Sequence, residues 1–374
     1  MANGRFSDAA PSRLPVGTDA SLPFCHAVCM NLMSQSTEPD LTRWRGAAGE
    51  FERAVGSVVV GQAGAIRLLT IAVFCRGHVL LEGDVGVGKT TLLRAAARAL
   101  GGALERVEGT IDMMPTDILY HAFIGEDGRP RVEAGPLLRH GRDLTIFFFN
   151  EINRARPQVH ALLLRAMAER SVTAFQTEQS FPHLQVFADR NRVEREETFE
   201  LPAAARDRFL MEIGIEAPAD PQVRRRLVFD TRYHDADALI AEVPDALLEF
   251  RELNGVAAAI QRSVKCSEAI ELYTFSLWEG LKSPAALGIE IPGVIVDRLV
   301  QGGASPRGVS ALVRAARVQA WLDGRDHVLP EDLRSVFAPV MAHRVFLTPA
   351  YETRRDHIVP QLLDAVLANV PTPA

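Results

Sequence analysis

The segment GDVGVGKT, residues 83–90, constrains the fold of this 374-residue chain more than any other feature. It fills every fixed position of the phosphate-binding loop pattern. An apolar segment, GHVLLEG at 77–83, precedes it, and TTLLRAAARAL at 90–100, which favours a helix, follows it. Glycines let successive backbone N–H groups turn towards phosphate oxygens, and the N-terminus of the next helix adds partial positive charge. The order strand, loop, helix therefore predicts an α/β fold with a site for the phosphates of a nucleotide.

Two side chains of this loop have expected roles. Lys89 would bridge the β- and γ-phosphates of ATP, and the hydroxyl group of Thr90 would bind Mg²⁺. Only three of the 41 basic residues are lysines, which disfavours the alternative of a glycine-rich turn with an incidental lysine. The loop residues predicted to bind the nucleotide are Gly83, Asp84, Val85, Gly86, Val87, Gly88, Lys89, Thr90 and Thr91.

The segment TIFFFNE, residues 145–151, has the pattern of a buried strand that ends in an amide and a carboxylate. Ligands of open α/β sheets bind at the carboxyl ends of the strands. Glu151 is therefore expected to act as a general base that orients and polarises the water attacking the γ-phosphate. The alternative is a charge at a helix N-terminus that pairs with Arg154.

Asn150 occupies the position where phosphate-loop enzymes hold an Asp that supports Mg²⁺ through its water shell. An amide keeps one oxygen that accepts a hydrogen bond from Thr90 or from a metal-bound water, but it lacks the negative charge. We expect this loss to weaken metal retention or alignment by about 1–3 kcal/mol. Turnover would be slower, while nucleotide binding would persist. Thr90 and Asn150 are thus the predicted metal-site residues.

The rest of the chain predicts a tail and two domains. Residues 1–38 are rich in Ser, Pro, Ala and Asn without periodicity, which is typical of a disordered tail. From 39 to 217, strands alternate with helices, so a parallel sheet with helices on its faces is expected, with two hairpins inserted near 121–133 and 172–182. From 218 to 374 the pattern predicts helices alone, in a smaller domain. Those helices are predicted at 220–229, 244–262, 266–280, 308–323 and 330–343.

Composition disfavours several other classes of protein. The net charge of -6 gives no general attraction to nucleic acid or to acidic membranes, and no apolar run is long enough to span a bilayer. The four cysteines show neither zinc-site nor disulfide spacing, so a reducing compartment and a cytoplasmic location are expected.

Several motifs together make the chain similar to AAA+ ATPases of the MoxR family. They are the phosphate loop, the strand ending in Asn-Glu, Asn191 at the next strand end, Asp207-Arg208-Phe209 and the later GASPR. Further family-like segments are VVVGQ, MMPTDIL, EAGPLL, LPAAARDRF and LDGRDHVLPEDLRSVFAPVMAHR, and the likeness runs from about residue 55 to 346. The chain departs from the family at Asn150, at ADRNR, where ATQNP is usual, and in the tail before Asp40.

This resemblance implies an AAA+ P-loop αβα core followed by an all-α lid, and it implies further site residues. Gly61 and Gln62, in VVVGQ, would help to bind the nucleotide. Asn191 would be the sensor-1 residue that positions the attacking water. Arg208 would be the arginine finger that reaches the γ-phosphate of a neighbouring subunit. Arg307 would be sensor 2, swinging with the helical domain onto the phosphates. By residue type alone, Arg208 also fits a surface ion pair and Arg307 a helix cap.

The resemblance also implies a homo-hexameric, chaperone-like ATPase that uses ATP and Mg²⁺. Its expected partners are a protein with a von Willebrand factor A domain and a client metalloenzyme or protein complex, in some cases methanol dehydrogenase. The rival is an ATP-binding ring scaffold with very slow or no hydrolysis, which Asn150 favours. A small-molecule kinase would explain neither Arg208 nor the helical second domain. A DNA translocase would need hairpins rich in Arg or Lys, and neither predicted hairpin is, so no nucleic-acid partner is expected.

Overall fold

The computed structural model of the chain describes residues 38–190 and 199–373. The predicted tail lies almost wholly outside the described residues, and Asn191 lies outside them too. From Pro39 onwards the chain forms one compact unit. The elements before residue 218 are α1 (Leu41–Val58), α2 (Ala63–Phe74), β1 (His78–Glu82), α3 (Lys89–Leu100), β2 (Ala103–Glu108), α4 (Pro115–Leu119), β3 (Tyr120–Ile124), β4 (Pro130–Ala134), β5 (Leu144–Asn150), α5 (Pro157–Glu169), β6 (Ser171–Ala174), β7 (Thr177–Ser180), β8 (Gln185–Arg190), α6 (Ala203–Arg206) and β9 (Phe209–Gly214).

Five parallel strands form the central sheet in the order β2-β5-β8-β1-β9. Side chains of β5 alternate between its faces, as a strand requires. Ile146 and Phe148 pack into a buried cluster with α1, α2 and α3, while Phe147 and Phe149 pack into a second cluster with α5. The predicted αβα core is therefore confirmed, and every side chain of β5 is buried.

Helix α1 begins directly after Asp40. The carboxylate of Asp40 accepts hydrogen bonds from the backbone N–H groups of Thr42 and Arg43, which satisfies two donors at the start of the helix. Apolar side chains at helical spacing, among them Trp44 and Phe51, face the core.

Both predicted hairpins are present. Strands β3 and β4 pair antiparallel around a turn in which Gly128 has a positive φ of 73°, and β6 pairs with β7. The rings of Tyr120 and Phe175 lie 4.8 Å apart, so the two hairpins contact each other.

One strand of the sheet was not predicted. Residues 209–214 form β9, which pairs with β1 at the edge of the sheet. Its apolar run directly follows the motif of Arg208, and a short apolar run gives no periodicity that separates a strand from a buried helix.

Beyond residue 218 the chain is helical except for one short strand pair. The elements are α7 (Pro221–Phe229), α8 (Ala236–Ala241), α9 (Leu253–Ser263), α10 (Glu268–Lys282), β10 (Val300–Gly302), α11 (Pro306–Leu322), α12 (Pro330–Met341), β11 (Phe346–Leu347), α13 (Pro349–Glu352) and α14 (Arg355–Asn369). Because β10 pairs antiparallel with β11, the expectation of helices alone is wrong there.

The helix predicted at 244–262 begins only at Leu253. Residues before it form turns, in which Ala246 has a positive φ of 50° and donates its N–H to the carbonyl of Arg98 at the end of α3. Helices α8 and α14 were not predicted, and Pro360 inside α14 obscured its pattern.

The helices after residue 218 share a core with the sheet. The buried cluster around α1, α2 and α3 continues without a break into α9, α10, α11, α12 and α14. The helical region is therefore fixed to one face of the core by common apolar packing. No helix among the described residues combines the length and the apolar character that crossing a membrane requires.

Candidate nucleotide-binding and hydrolysis site

The phosphate loop joins β1 to α3, as its sequence predicts. Gly86 and Gly88 have positive φ angles of 82° and 93°, a backbone region that favours glycine. Gly83 needs its missing side chain for another reason, because a Cβ there would lie 2.3 Å from the carbonyl oxygen of Ile215. Residues 84–86 at the tip are exposed, which leaves the loop open to a ligand.

Lys89 is the first residue of α3, and its side chain folds back into the loop. Its Nζ donates a hydrogen bond to the carbonyl of Gly83 at 2.7 Å and lies 3.7 Å from Oδ2 of Asp189. The side chain is buried, so this ammonium group is held at the position where a phosphate would approach the loop. Thr90 and Thr91 follow in the same turn and are half-buried.

A carboxylate that the sequence reasoning missed lies at the centre of the site. Asp189 is the penultimate residue of β8, and its Oδ1 accepts a hydrogen bond of 2.6 Å from the backbone N–H of Glu151. The hydrogen-bond network orients the amide of Asn150 so that its nitrogen lies 3.1 Å from both carboxylate oxygens of Asp189. Burial raises the pKa of Asp189, while the Glu151 N–H and the charge of Lys89 oppose that rise.

Asn150 and Asp189 meet because they lie at the carboxyl ends of adjacent parallel strands, on the same face of the sheet. Side chains alternate between the two faces of a strand, so Asn150 lies on the same face of β5 as Ile146 and Phe148, and Asp189 lies on the same face of β8 as Phe187. Both side chains are therefore on the face of the sheet that packs against α3. Leu81 pairs in register with Asp189, which brings the carboxylate to the start of the phosphate loop. The alternation of side chains along β5 and β8, combined with the strand order, would have predicted this contact, but the strand order was not predicted.

Glu151 lies directly after β5 in a left-handed backbone conformation, with φ of 53°. Non-glycine residues adopt this conformation at a cost of about 1–3 kcal/mol, and such residues cluster at functional sites. Gly109 allows the turn, since a Cβ there would lie 2.3 Å from the carbonyl oxygen of Glu151. The carboxylate of Glu151 accepts a hydrogen bond from Arg154 at 2.9 Å. Glu151, the predicted base, therefore contacts Arg154, the ion-pair partner that the alternative interpretation assigned to it.

Gly61 and Gln62 lie beside the segment that follows β9. Gln62 donates a hydrogen bond to the carbonyl of Glu216 at 2.5 Å, and a Cβ on Gly61 would lie 2.8 Å from Pro218. The same segment contacts the loop, because the N–H of Ile215 donates to the carbonyl of Glu82 at 2.7 Å. These two residues are thus connected to the base of the phosphate loop through residues 215–218.

Arg208 and Arg307 lie together in a basic cavity of about 360 Å³. Arg307 lies 3.5 Å from the carboxylate of Asp207, which also accepts hydrogen bonds from Ser305 and from the buried Arg344. The other arginines of the lining are Arg76, Arg170, Arg314 and Arg344, and none of residues 83–91 contributes to it.

Arg208 is half-buried at the edge of this cavity. It donates to the carbonyl of Ala204 at 2.8 Å, and its buried Nε has no hydrogen-bond partner among the described residues. The structure thus brings Arg307 to Arg208 rather than to the phosphate loop of the same chain.

The donor set fits ATP with Mg²⁺. In the part of the chain that the structure describes, no group of three or more His, Cys, Asp or Glu residues forms a cage for a metal ion. Mg²⁺ suits such a site, because it commonly binds through substrate phosphates, water and one or two protein oxygens. The hydroxyl of Thr90 and the oxygens of Asn150 and Asp189 are the candidate protein groups for it.

Comparison with known proteins identifies the two regions of the chain. Residues 78–211 match the ATPase family associated with various cellular activities (AAA), and residues 294–362 match the AAA lid domain. The chain is 68% identical to Protein MoxR of Methylorubrum extorquens, over 89% of this chain and 97% of that protein. It is 60% identical to Protein MoxR of Paracoccus denitrificans, over 90% and 99% of the two chains.

Two more distant proteins are also similar. Chaperone MoxR1 of Mycobacterium tuberculosis is 32% identical, over 86% of this chain and 82% of that protein. A solved structure of a candidate ATPase from Cytophaga hutchinsonii superimposes with a TM-score of 0.75 at 28% identity, and covers 89% of this chain and 97% of that one.

Proposed function

Since this chain belongs to the MoxR family of AAA+ ATPases, we propose that it hydrolyses ATP to remodel or mature a partner protein complex. One observation carries the proposal. The phosphate-binding lysine, a buried carboxylate and the backbone of the candidate base lie in one chain of contacts, from Lys89 through Asp189 to Glu151. A chain that only bound nucleotide would need the loop but not a base in this position.

The residues of the site have separate roles in the proposed hydrolysis. Backbone N–H groups of residues 83–91 and the ammonium group of Lys89 hold the phosphates, and Gly61 and Gln62 border the nucleotide. Mg²⁺ bound with ATP would neutralise negative charge on the phosphates, with Thr90 and Asn150 among the residues at its shell. Glu151 would take a proton from the attacking water, which requires its carboxylate to leave Arg154. Asn191 remains our proposal for the residue that positions this water.

We propose that Arg208 and Arg307 both act on the nucleotide of a neighbouring subunit in a homo-hexamer. Support comes from their shared basic cavity, whose lining excludes the phosphate loop of the same chain, and from the buried Nε of Arg208. An arginine in this role accelerates phosphoryl transfer by about 10³–10⁵. Hydrolysis would then depend on assembly. Arg307 would need no swing of the helical region, which shares its buried core with the sheet.

For the client, we propose a metalloenzyme such as methanol dehydrogenase, matured together with a von Willebrand factor A domain partner in the cytoplasm. The likeness to two proteins named Protein MoxR, at 68% and 60% identity, supports this class of client. The name Chaperone MoxR1 of a further relative supports remodelling as the mode of action. Free Cys75 and Cys266 are consistent with a reducing compartment.

A second candidate function is an ATP-binding ring scaffold that hydrolyses ATP very slowly or not at all. Two observations favour it: Asn150 lacks the charge of an Asp, and Arg154 holds the carboxylate of Glu151 at 2.9 Å. A scaffold would need nucleotide binding but not Glu151.

Complementation separates the two functions. This chain would be expressed in Methylorubrum extorquens from which the gene for its own Protein MoxR has been deleted, and methanol dehydrogenase activity would be measured per amount of enzyme. We expect the wild type to restore activity and Glu151→Gln to fail. Glu169→Gln is the matched control, because Glu169 forms an exposed ion pair with Arg165 on α5. Restoration by Glu151→Gln would favour the scaffold, and failure of the wild type would contradict the proposed client.

A further inference from the structure

Asn150 leaves its strand end without a carboxylate, but a carboxylate lies in contact with it. Asp189 lies at the carboxyl end of β8, one residue before its last, and β8 is the strand between β5 and the phosphate-loop strand β1. Its side chain is 2% exposed, and the amide nitrogen of Asn150 lies 3.1 Å from both of its oxygens. The acidic group of the site is therefore displaced by one strand rather than absent.

We propose that Asp189 supplies the negative charge that supports the Mg²⁺ of bound ATP, with Asn150 as the amide that orients it. This inference rests on the proposed ATP-binding function and assigns the metal-supporting role to a residue of a different strand. The carboxylate would have moved from the end of β5 to β8, where Asp189 stands in place of the Thr of ATQNP, while the charge of the site stayed the same.

The contacts of Asp189 direct it to the phosphate end of the loop. Its Oδ2 lies 3.7 Å from Nζ of Lys89, the group that holds the phosphates, and Lys89 itself donates to the carbonyl of Gly83 at 2.7 Å. Its Oδ1 accepts the N–H of Glu151 at 2.6 Å. Asp189 is thus fixed between the lysine and the base, where a metal ion on the phosphates would have its water shell.

The neighbouring arginine does not neutralise Asp189. Arg190 turns to the opposite face of the sheet, where it lies 3.1 Å from Glu82 and 3.2 Å from Glu212. Burying a carboxylate is costly unless it is paired. In the described part of the chain, the ion pair of Asp189 is with Lys89, a group that ATP phosphates would engage. A bound cation would then compensate the carboxylate.

This assignment reverses the expected effect of restoring an Asp at position 150. Asn150→Asp would place a second carboxylate about 3 Å from Asp189, and like charges at that separation repel strongly. We therefore expect Asn150→Asp alone to weaken the site. The double exchange, Asn150→Asp with Asp189→Asn, keeps one carboxylate and one amide in contact and should restore it.

The test measures the affinity of a fluorescent, non-hydrolysable ATP analogue with and without Mg²⁺. The dissociation constant without Mg²⁺ divided by the dissociation constant with Mg²⁺ measures how strongly the site supports the metal, separately from hydrolysis. We expect Asp189→Asn to lower this ratio about tenfold or more, while the Mg²⁺-free affinity changes less than about threefold. The double exchange should return the ratio to within about threefold of the wild type. Asp143→Asn, in an exposed pair with Arg251, is the matched control.

Three results would overturn the inference. The first is a ratio in Asp189→Asn that equals that of the wild type. The second is an equal loss of affinity with and without Mg²⁺ in Asp189→Asn, which would mean that Asp189 only positions Lys89. The third is a higher ratio in Asn150→Asp alone than in the wild type. Failure of the wild type to bind the analogue would instead contradict the proposed function. If Asp189→Asn alone does not fold, as judged by thermal unfolding, the double exchange decides the question through the same ratio.

Discussion

The ammonium group of Lys89, the first residue of α3, lies 3.7 Å from the carboxylate of Asp189, the penultimate residue of β8. This contact joins the phosphate loop to the strand end that carries the candidate base, because Asp189 also accepts the N–H of Glu151. Phosphate binding and the position of the base are therefore linked through one buried carboxylate.

Replacement of Lys89 should abolish most nucleotide affinity. In Lys89→Met the loop keeps its backbone N–H groups but loses its cation, and a charge-assisted contact of this kind contributes about 2–3 kcal/mol, or roughly 30- to 150-fold in affinity. Titration with a fluorescent ATP analogue measures the loss. Lys282→Met is the matched control, since Lys282 is partly exposed and pairs with Glu279. Equal affinities of the two variants would contradict the role of Lys89.

Mixed rings should show whether Arg307 acts on a neighbouring subunit. Neither Glu151→Gln nor Arg307→Ala rings should hydrolyse ATP efficiently. In an equal mixture, about a quarter of the interfaces would combine an intact Glu151 with an intact Arg307 from the next subunit, and activity should reappear.

The control for this experiment is a mixture of Glu151→Gln with Lys89→Met subunits. Both residues serve the same subunit's nucleotide, so this mixture should stay inactive. If the mixture with Arg307→Ala stays inactive too, Arg307 acts within its own subunit.

Acid should destabilise the fold partly through His78. Its Nδ1 accepts the N–H of Val186 at 2.9 Å, its Nε2 donates to the carbonyl of Met167 at 3.1 Å, and burial lowers its pKa to about 4. Between its ordinary pKa of 6.5 and about 4, the unfolded chain binds a proton that the folded chain does not. The free energy of unfolding should therefore fall as the pH falls through this window, by up to about 3 kcal/mol from this residue.

Urea unfolding between pH 7.5 and 4.5 measures this slope. His78→Gln should flatten it, because glutamine does not titrate, whereas His121→Gln in the exposed hairpin should not. An unchanged slope in His78→Gln would contradict the assignment.

Two glycine-to-alanine substitutions should have opposite effects. In Gly83→Ala the new Cβ would lie 2.3 Å from the backbone oxygen of Ile215, so the loop must shift and nucleotide affinity should fall at least about tenfold. Gly46 lies inside α1, where an added Cβ meets nothing within 4 Å, so Gly46→Ala should stabilise the fold by about 0.5–1 kcal/mol. Thermal unfolding and nucleotide titration of both variants check this pair. A stabilised Gly83→Ala with full affinity would contradict the described loop.

The sequence predicted the parts of the site that depend on local pattern. The loop, the buried strand before Glu151 and both hairpins follow from glycine spacing, apolar runs and turn residues. It also identified Asn150 and the ADRNR segment as two separate departures from the family. Their contact could not be foreseen, because it depends on β8 lying between β5 and β1, and strand order is a tertiary property.

Other misses have the same origin. The start of the helix at Leu253 depends on the contact of Ala246 with the end of α3. The grouping of Arg307 with Arg208 depends on how the helical region packs on the core, through Asp207 and Arg344. Neither contact has a signature in the local sequence.

The most direct test of the central claim is ATP hydrolysis at a protein concentration where mass measurement shows assembled rings. We predict turnover by the wild type that Glu151→Gln reduces at least about 100-fold, with nucleotide affinity preserved and with Glu169→Gln as active as the wild type. Assembled wild-type rings that bind ATP but hydrolyse it no faster than buffer, or a Glu151→Gln ring with the wild-type rate, would contradict the claim that this chain is a working ATPase.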